Sequence, residues 1–330
     1  EVLTMQVKEI KITDIENIKI GHYSDIENGT GVSVIICENG MGAGSDIRGG
    51  GPASRENTLT ATFTNTQILH ALVLGGGSAY GLDAAGGVMK YLEEHQIGYP
   101  VGPGYVPLVA QADIFDLTCG SFDVRPDFKM GYNACINAYK EAYTDGCVGA
   151  GTGATVGKFL GMDYCTKTGC GSYAIQIGDI KIGAFVVVNA LGNVYDSKGN
   201  IIAGLLNQEK NGFLDCEDLL IQNYMKAHDN KFVSNTTIGA IITNASFDKA
   251  KLCKIASMAH NGYARSINPI HTSADGDTIY ALSTGNVNAD CDLVGTFAAK
   301  VMSKAIENAV WSSSSNYGIP CAKDIKNGSK

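Results

Sequence analysis

A threonine at the start of the β-favouring run Asn235-Thr236-Thr237-Ile238 has chemistry open to it. Its hydroxyl can attack the preceding carbonyl, shift the acyl group from nitrogen to oxygen, and leave an ester that water opens. The product would begin with Thr236 as a free N-terminus. Such a residue holds its own general base, because an α-amino group titrates at about 8 and is partly unprotonated near neutral pH. Threonine with its own amine is a known substitute for a Ser-His pair. The same residues also fit an ordinary edge strand, or an N-x-T glycosylation acceptor in a secreted chain, so alone they decide nothing.

Three other places supply partners for that hydroxyl. Asp275-Gly276-Asp277 puts two carboxylates two residues apart before a strand, where they can orient and charge-stabilise a threonine ammonium; Asp-Gly is also an ordinary turn. Lys158 closes the glycine-rich run Gly149–Gly157 and can hold an oxyanion or tune a hydroxyl, or be a solvated lysine. Asn189 follows an apolar run, where a side-chain amide can donate to a developing oxyanion or form a turn.

A rival nucleophile stands earlier. Gly76-Gly77-Ser78-Ala79-Tyr80 is one residue off the GxSxG elbow, since Tyr80 takes the final glycine's place. Ser78 would then need a later acid and histidine; of His228, His260 and His271, only His271 is well placed, close to Asp275. Nucleotide readings of the glycine run fail: Phe159 replaces the Ser or Thr of a Walker A motif, and the GxGxxA match follows a poor strand.

The elements around these residues are mixed α and β. Thr30 to Cys37 reads as a strand, Gly42 to Glu56 as a loop, His70 to Leu74 as a strand and Ala79 to His95 as a helix. Asp127 to Ala142 has helical spacing, and Gly183 to Val188 reads as a buried strand ending at Asn189. Leu205 to Ser234 is a polar, partly helical excursion with an exposed connection. The pattern restarts at Thr236 with a strand to Thr243, a helix N-capped by Ser246, a strand from Asp277 to Ser283 and a helix from Leu293 to Trp311. The last part is thus a β-α-β-α unit.

With 330 residues, 45% of them apolar and 18% charged, the chain can bury a large core. A net charge of -8 without a basic cluster argues against nucleic acid. The first ten residues lack a signal-peptide core and no stretch reaches spanning length, so no membrane partner and a cytoplasmic location are expected. The 41 glycines against 7 prolines point to tight turns and close backbone approaches. Ten scattered cysteines without a CxxC pair read as mostly buried reduced thiols, and no metal or cofactor is expected.

Five segments in order, LGGGSAYGLDAAGGVMKYLE, GAGTGATVGK, VVVNALGNVYD, SNTTIGAIITNA and HTSADGDTIYALST, resemble the DmpA-type aminopeptidases of peptidase family S58. The likeness runs from about Ile18 to Trp311. It implies an α+β fold, a four-layer αββα sandwich of the DmpA and ornithine acetyltransferase type, Ntn-hydrolase-like. It also implies one self-cleaving domain, residues 1–330, cut between Asn235 and Thr236 into 1–235 and 236–330 and assembled as a homo-oligomer, a tetramer of αβ units. By the same likeness Thr236 is the nucleophile, Lys158 and Asn189 line the site, and Tyr80 lies beside it as a substrate-binding residue. The paired Asp275 and Asp277 resemble the threonine-nucleophile nylon-oligomer hydrolases, where DmpA-like enzymes carry Ser and Glu. Phe115 stands where those enzymes have a tyrosine that helps the oxyanion, and phenylalanine cannot donate.

The resulting expectation is an amidohydrolase acting on small peptides or ω-amino-acid oligomers. An ornithine-type N-acyltransferase of the same fold and an inactive binding or assembly homologue are the alternatives; turnover of acetyl-ornithine, or a full-length uncut chain, would favour them.

Overall fold

The computed structural model describes residues 7–225 and 235–328. Its main sheet has ten strands: β1 (Val7–Ile10), β2 (Lys19–Asp25), β3 (Thr30–Ile47), β4 (Ala53–Arg55), β5 (Ile68–Gly75), β6 (Val109–Asp113), β7 (Cys170–Ile177), β8 (Ile180–Asn189), β9 (Thr236–Ala245) and β10 (Thr278–Val287). The order is β1-β7-β8-β9-β10-β3-β5-β6-β4, with β2 paired to the first half of β3. Five helices matter: α1 (Ala84–Glu94), α2 (Phe128–Lys140), α3 (Cys216–Met225), α4 (Lys249–Ser266) and α5 (Cys291–Trp311).

Strand β3 is the hinge of the architecture. Its early residues pair with β2 and β5, its late residues with β10, and the β3–β5 register shifts between Ile36 and Met41. The sheet folds over there, so its two halves face each other. Between them lies one core that includes Leu72 and Leu74 of β5, Phe185 and Val187 of β8, and Ile238, Ala240 and Ile242 of β9. Strand alternation sends the other residues outward. Ile182, Ala184, Val186 and Val188 of β8 meet Leu252 and Ile255 of α4 and Val301 and Met302 of α5. Val32, Val34 and Val73 meet Val88 and Leu92 of α1 and Ala134 of α2. The layers are therefore α, β, β, α, as the resemblance implies.

Two β-α-β-α units build this sandwich. In the first, parallel strands β5 and β6 are joined through α1 and followed by α2; in the second, parallel β9 and β10 are joined through α4 and followed by α5. The second matches the unit expected after Thr236.

Several boundaries differ from the sequence reading. The first part of the segment read as a loop, Gly42 to Ile47, continues β3, because it pairs with Thr278 to Ser283 of β10. Glycines there satisfy strand geometry where a side chain would strike α4: a Cβ on Gly44 would come within 2.4 Å of Cys253 N. The helix read from Ala79 begins as a 3-10 turn, Ser78–Asp83, before α1. The cap of α4 is Asp248, which accepts from Lys251 N at 2.8 Å, so Ser246 is not the cap. The helix in the polar excursion is α3; the connection through His228 to Ser234 lies outside the described residues. All ten cysteines are free thiols, seven of them buried. Among the described residues no helix is long and apolar enough to cross a membrane.

Candidate active site

Thr236 is the first residue of β9, and the antiparallel register sets it directly opposite Asn189, the last residue of β8. On its other side Asn235 bridges in parallel to Asp275, just ahead of β10. Adjacent strand ends thus bring Asn189, Asn235, Thr236 and Asp275 together from three separate stretches of the chain. Thr236 is buried, and its hydroxyl donates to the carbonyl oxygen of Asn235. That oxygen also accepts from Gly276 N at 2.8 Å, while Asn235 N donates to Ala274 O at 3.0 Å. The carbonyl that an attack by Thr236 would reach is therefore already held by a backbone donor.

The two carboxylates have different tasks. Asp277, fully buried, accepts from Thr237 N at 2.7 Å on one oxygen; its other oxygen accepts from His271 N and His271 Nδ1, each at 2.9 Å. Asp275 accepts from Thr272 N at 2.8 Å and Thr272 Oγ1 at 2.6 Å on Oδ2, while its buried Oδ1 has no hydrogen-bond partner among the described residues. Burial first, and the neighbouring Asp277 second, push the Asp275 carboxyl up to about 6.

Lys158 is buried and spends its ammonium on oxygens, donating to Thr155 O at 3.1 Å, Asn189 O at 3.0 Å and Asn189 Oδ1 at 2.8 Å. Burial pulls its pKa down to about 8, against the pull of anionic groups that include Asp275. The lysine fixes the Asn189 amide with its nitrogen outward, and Asn189 Nδ2 donates to Phe115 O at 3.0 Å. Phe115 thus enters the site through its carbonyl. An amide nitrogen carries two hydrogens, so one donor of Asn189 is engaged there and the other is not committed to that bond.

The part of the expected loop that remains after Ile47 covers the acidic turn, a contact the sequence reading did not include. Arg48 N and Gly49 N donate to Asp277 O at 3.0 and 3.3 Å, and Gly51 N donates to Asp275 O at 2.8 Å. The approach is close enough to require glycine: a Cβ on Gly49 would lie 2.3 Å from Asp275 O, and one on Gly276 would lie 2.8 Å from Thr236 Oγ1. The triple glycine Gly49-Gly50-Gly51 was the available signal for this contact. The Gly276 donor was hidden because a main-chain N–H has no signature in sequence.

Ser78 and Tyr80 sit on a different turn. Ser78 adopts φ 53, and its N–H donates to Ile114 O at 2.9 Å; its hydroxyl has no hydrogen bond among the described residues. Tyr80 is exposed, its ring facing the Arg125 guanidinium at 4.0 Å, and no hydrogen bond or ring contact among the described residues ties it to Thr236. Thr236, Asn235, Lys158, Asn189, Asp275 and Asp277 come together; Tyr80 does not join their network.

The model of peptidase family S58 matches residues 11–320. The chain is 35% identical over 343 aligned positions to an uncharacterised aminopeptidase of Mycobacterium bovis, covering 95% of this chain and 97% of the relative. It is 30% identical to a 6-aminohexanoate-oligomer endohydrolase of an Agromyces species, covering 92% and 86%. Among solved structures, the L-aminopeptidase D-Ala-esterase/amidase of Ochrobactrum anthropi, described as a variant of the Ntn hydrolase fold, superposes with a TM-score of 0.67 at 17% identity over 96% of this chain and 91% of that one. A β-aminopeptidase of a Burkholderia species gives the same score at 18% identity over 96% and 93%. These relatives are named for hydrolysis and not for acyl transfer, so the acyltransferase alternative is not favoured. With its Ntn-type αββα sandwich, this chain belongs to peptidase family S58 and is a hydrolase of peptide or amide bonds.

Proposed function

We propose that the protein is a self-cleaving N-terminal-threonine amidohydrolase that hydrolyses small peptides or ω-amino-acid oligomers, with Thr236 as its nucleophile. One observation carries the reading: the Thr236 hydroxyl donates to the Asn235 carbonyl while Gly276 N–H holds the same oxygen at 2.8 Å. Maturation begins as Thr236 Oγ1 bonds to the Asn235 carbonyl carbon, with charge gathering on the oxygen that Gly276 faces. The C–N bond then breaks, the hydroxyl proton passes to the Thr236 nitrogen, and an ester joins Asn235 to Oγ1. Water adds across that ester, giving an Asn235 carboxylate and restoring the hydroxyl.

The new amine then takes the proton of Oγ1 during attack on a substrate amide and returns it to the departing amine, and water hydrolyses the acyl ester left on Oγ1, restoring the hydroxyl. The partnerless Oδ1 of Asp275 suits the Thr236 ammonium, and Asp277 fixes the neighbouring Thr237 N–H. Lys158 holds Asn189, whose second amide hydrogen serves the substrate oxyanion. The names of relatives support the substrate class, one an aminopeptidase and another an endohydrolase of 6-aminohexanoate oligomers. Association of the cleaved units into a homo-oligomer, a tetramer of αβ pairs, belongs to the same proposal, and native mass spectrometry reads it.

The test is the intact mass of wild type beside Thr236→Ala, with N-terminal analysis of the smaller fragment. A fragment beginning at Thr236 in wild type, and a whole chain in the variant, are expected. A wild type that hydrolyses amides without being cut would sink the mechanism.

A further inference from the structure

We infer that His271 is a positioning residue for Thr236, acting through Asp277; this rests on the self-cleaving reading above. The carboxylate of Asp277 stands between two groups. One oxygen holds Thr237 N–H at 2.7 Å, next to the nucleophile in the chain, and the other takes two donors from the single residue His271. A carboxylate can only accept, so His271 Nδ1 carries the proton in this contact. The roles of the familiar His-Asp pair are inverted: here the ring orients the acid, and the acid fixes the strand start that presents the Thr236 hydroxyl.

The backbone of His271 is bent to make this possible. Its φ of 61 is left-handed, a conformation uncommon outside glycine that His, Asn and Asp take more readily than other side chains. That bend lets the main-chain N–H and ring Nδ1 reach one and the same oxygen. The ring is fixed from behind by α4: His260 meets it edge-on with centroids 4.7 Å apart, and Tyr263 lies 6.1 Å away. His260 is anchored in turn on Asp46 O at 3.0 Å. A residue in an uncommon backbone conformation, held on both sides and bonded to the buried carboxylate that binds Thr237 beside the nucleophile, is placed to set geometry.

Three substitutions separate this role from a packing role. Asn tolerates the left-handed backbone and offers an amide N–H near the position of Nδ1; Gly relieves the backbone but has no donor; Asp fits the backbone but sets a second carboxyl against Asp277. Pulse-chase of the full chain gives the rate of cutting before Thr236, and steady-state kinetics on an amide substrate gives kcat and KM. His271→Gly and His271→Asp should cut about 100-fold more slowly, with kcat lowered similarly and KM unchanged, because misplacing a reacting group by about 1 Å has effects of that size. His271→Asn should stay within about threefold of wild type. If Asn is as slow as Gly, or if all three cut like wild type, His271 does not position Thr236. Should Gly fail to fold, the Asn and Asp pair still decides, since both accept the same backbone. A wild type that yields no fragment at Thr236 would instead overturn the parent reading.

Discussion

The two β-α-β-α units of this sandwich each bring a hydroxyl residue to a strand end, and only one of them is equipped for acyl chemistry. In the first unit Ser78 follows β5 on a left-handed turn, the backbone shape of a nucleophile elbow. The acids beneath it serve the fold. Asp116 accepts from Gly77 N at 2.7 Å and from Thr30 Oγ1 at 2.7 Å, and burial pushes it up to about 6. Asp113 is raised well above the usual carboxylate range by burial. No histidine is bonded to Ser78 among the described residues. In the second unit Thr236 begins β9 with a carbonyl already on its hydroxyl, a donor on that carbonyl, and Lys158 with two aspartates around it. An exposed-looking turn is thus weaker grounds for a nucleophile than a bond waiting to be attacked.

The largest effect should separate these two hydroxyls. Thr236→Ala is expected to abolish both the cut at Asn235 and amide hydrolysis, while Ser78→Ala leaves the rate of cutting within about twofold. Denaturing gels and turnover of a chromogenic amide read both. The reverse pattern would exchange the roles of the two units. Next in size is Lys158→Met, which keeps the length of the side chain but removes the ammonium that binds Asn189. Its kcat should fall by about 10²–10³, the usual loss when an oxyanion donor is misdirected. An equal loss in a double variant with Asn189→Ala would show that the two act as one device.

Much of this contrast was readable in the sequence, and what was not has a physical reason. Thr236, Lys158, Asn189 and the paired aspartates were candidates by residue type, their joint role came from the resemblance of five segments, and the register of β8 on β9 and the bridge to Asp275 make them neighbours. Helix periodicity located α2 and α5 to within two residues at most ends. Gly42 to Ile47 misled because a glycine-rich strand looks like a loop until its partner, β10, is known. The Gly276 donor and the Arg48–Gly51 clasp are main-chain contacts, which leave no side-chain signature. His271 was noticed for the wrong unit, as a base for Ser78, when its ring faces Asp277.

The charges of the second unit should also show in pH dependence. In the proposed mechanism Asp275 must lose its proton to orient the Thr236 amine, the amine must itself be unprotonated to act as base, and Lys158 must keep its proton, so the rate should be low below about 6 and fall again as pH rises through about 8. Stability runs the other way. Because Asp275 is raised from 3.8, the folded state binds the extra proton, and this stabilisation is full below 3.8 and lost as pH rises through about 6. Because Lys158 is lowered from 10.5, its contribution is full above 10.5 and lost as pH falls through about 8. The window of activity is therefore the window in which these two groups stabilise least, a trade expected of a buried site. Thermal melts of Asp275→Asn should lose the decline between pH 4 and 6. In the first unit burial raises the Asp113 carboxyl in the same direction, so Asp113→Asn should likewise remove part of the fall in stability with rising pH, read in the same melts.

The smallest effect is expected at Tyr80 of the first unit. Tyr80 is exposed beside Arg125, with the guanidinium 4.0 Å from its ring, and Phe122 faces the same cation at 5.0 Å. An exposed cation–π contact is worth about 0.5–1 kcal/mol. If Tyr80 contributes to substrate binding, Tyr80→Ala should raise KM by about two- to fivefold, the range that energy allows, and leave kcat nearly unchanged. The rate of self-cleavage should not move at all, because the proposed maturation uses the Asn235 carbonyl and no external substrate. A fall in self-cleavage would mean that the first unit reaches into the chemistry of the second. An unchanged KM would confine Tyr80 to shaping its own turn, leaving recognition to residues nearer Thr236.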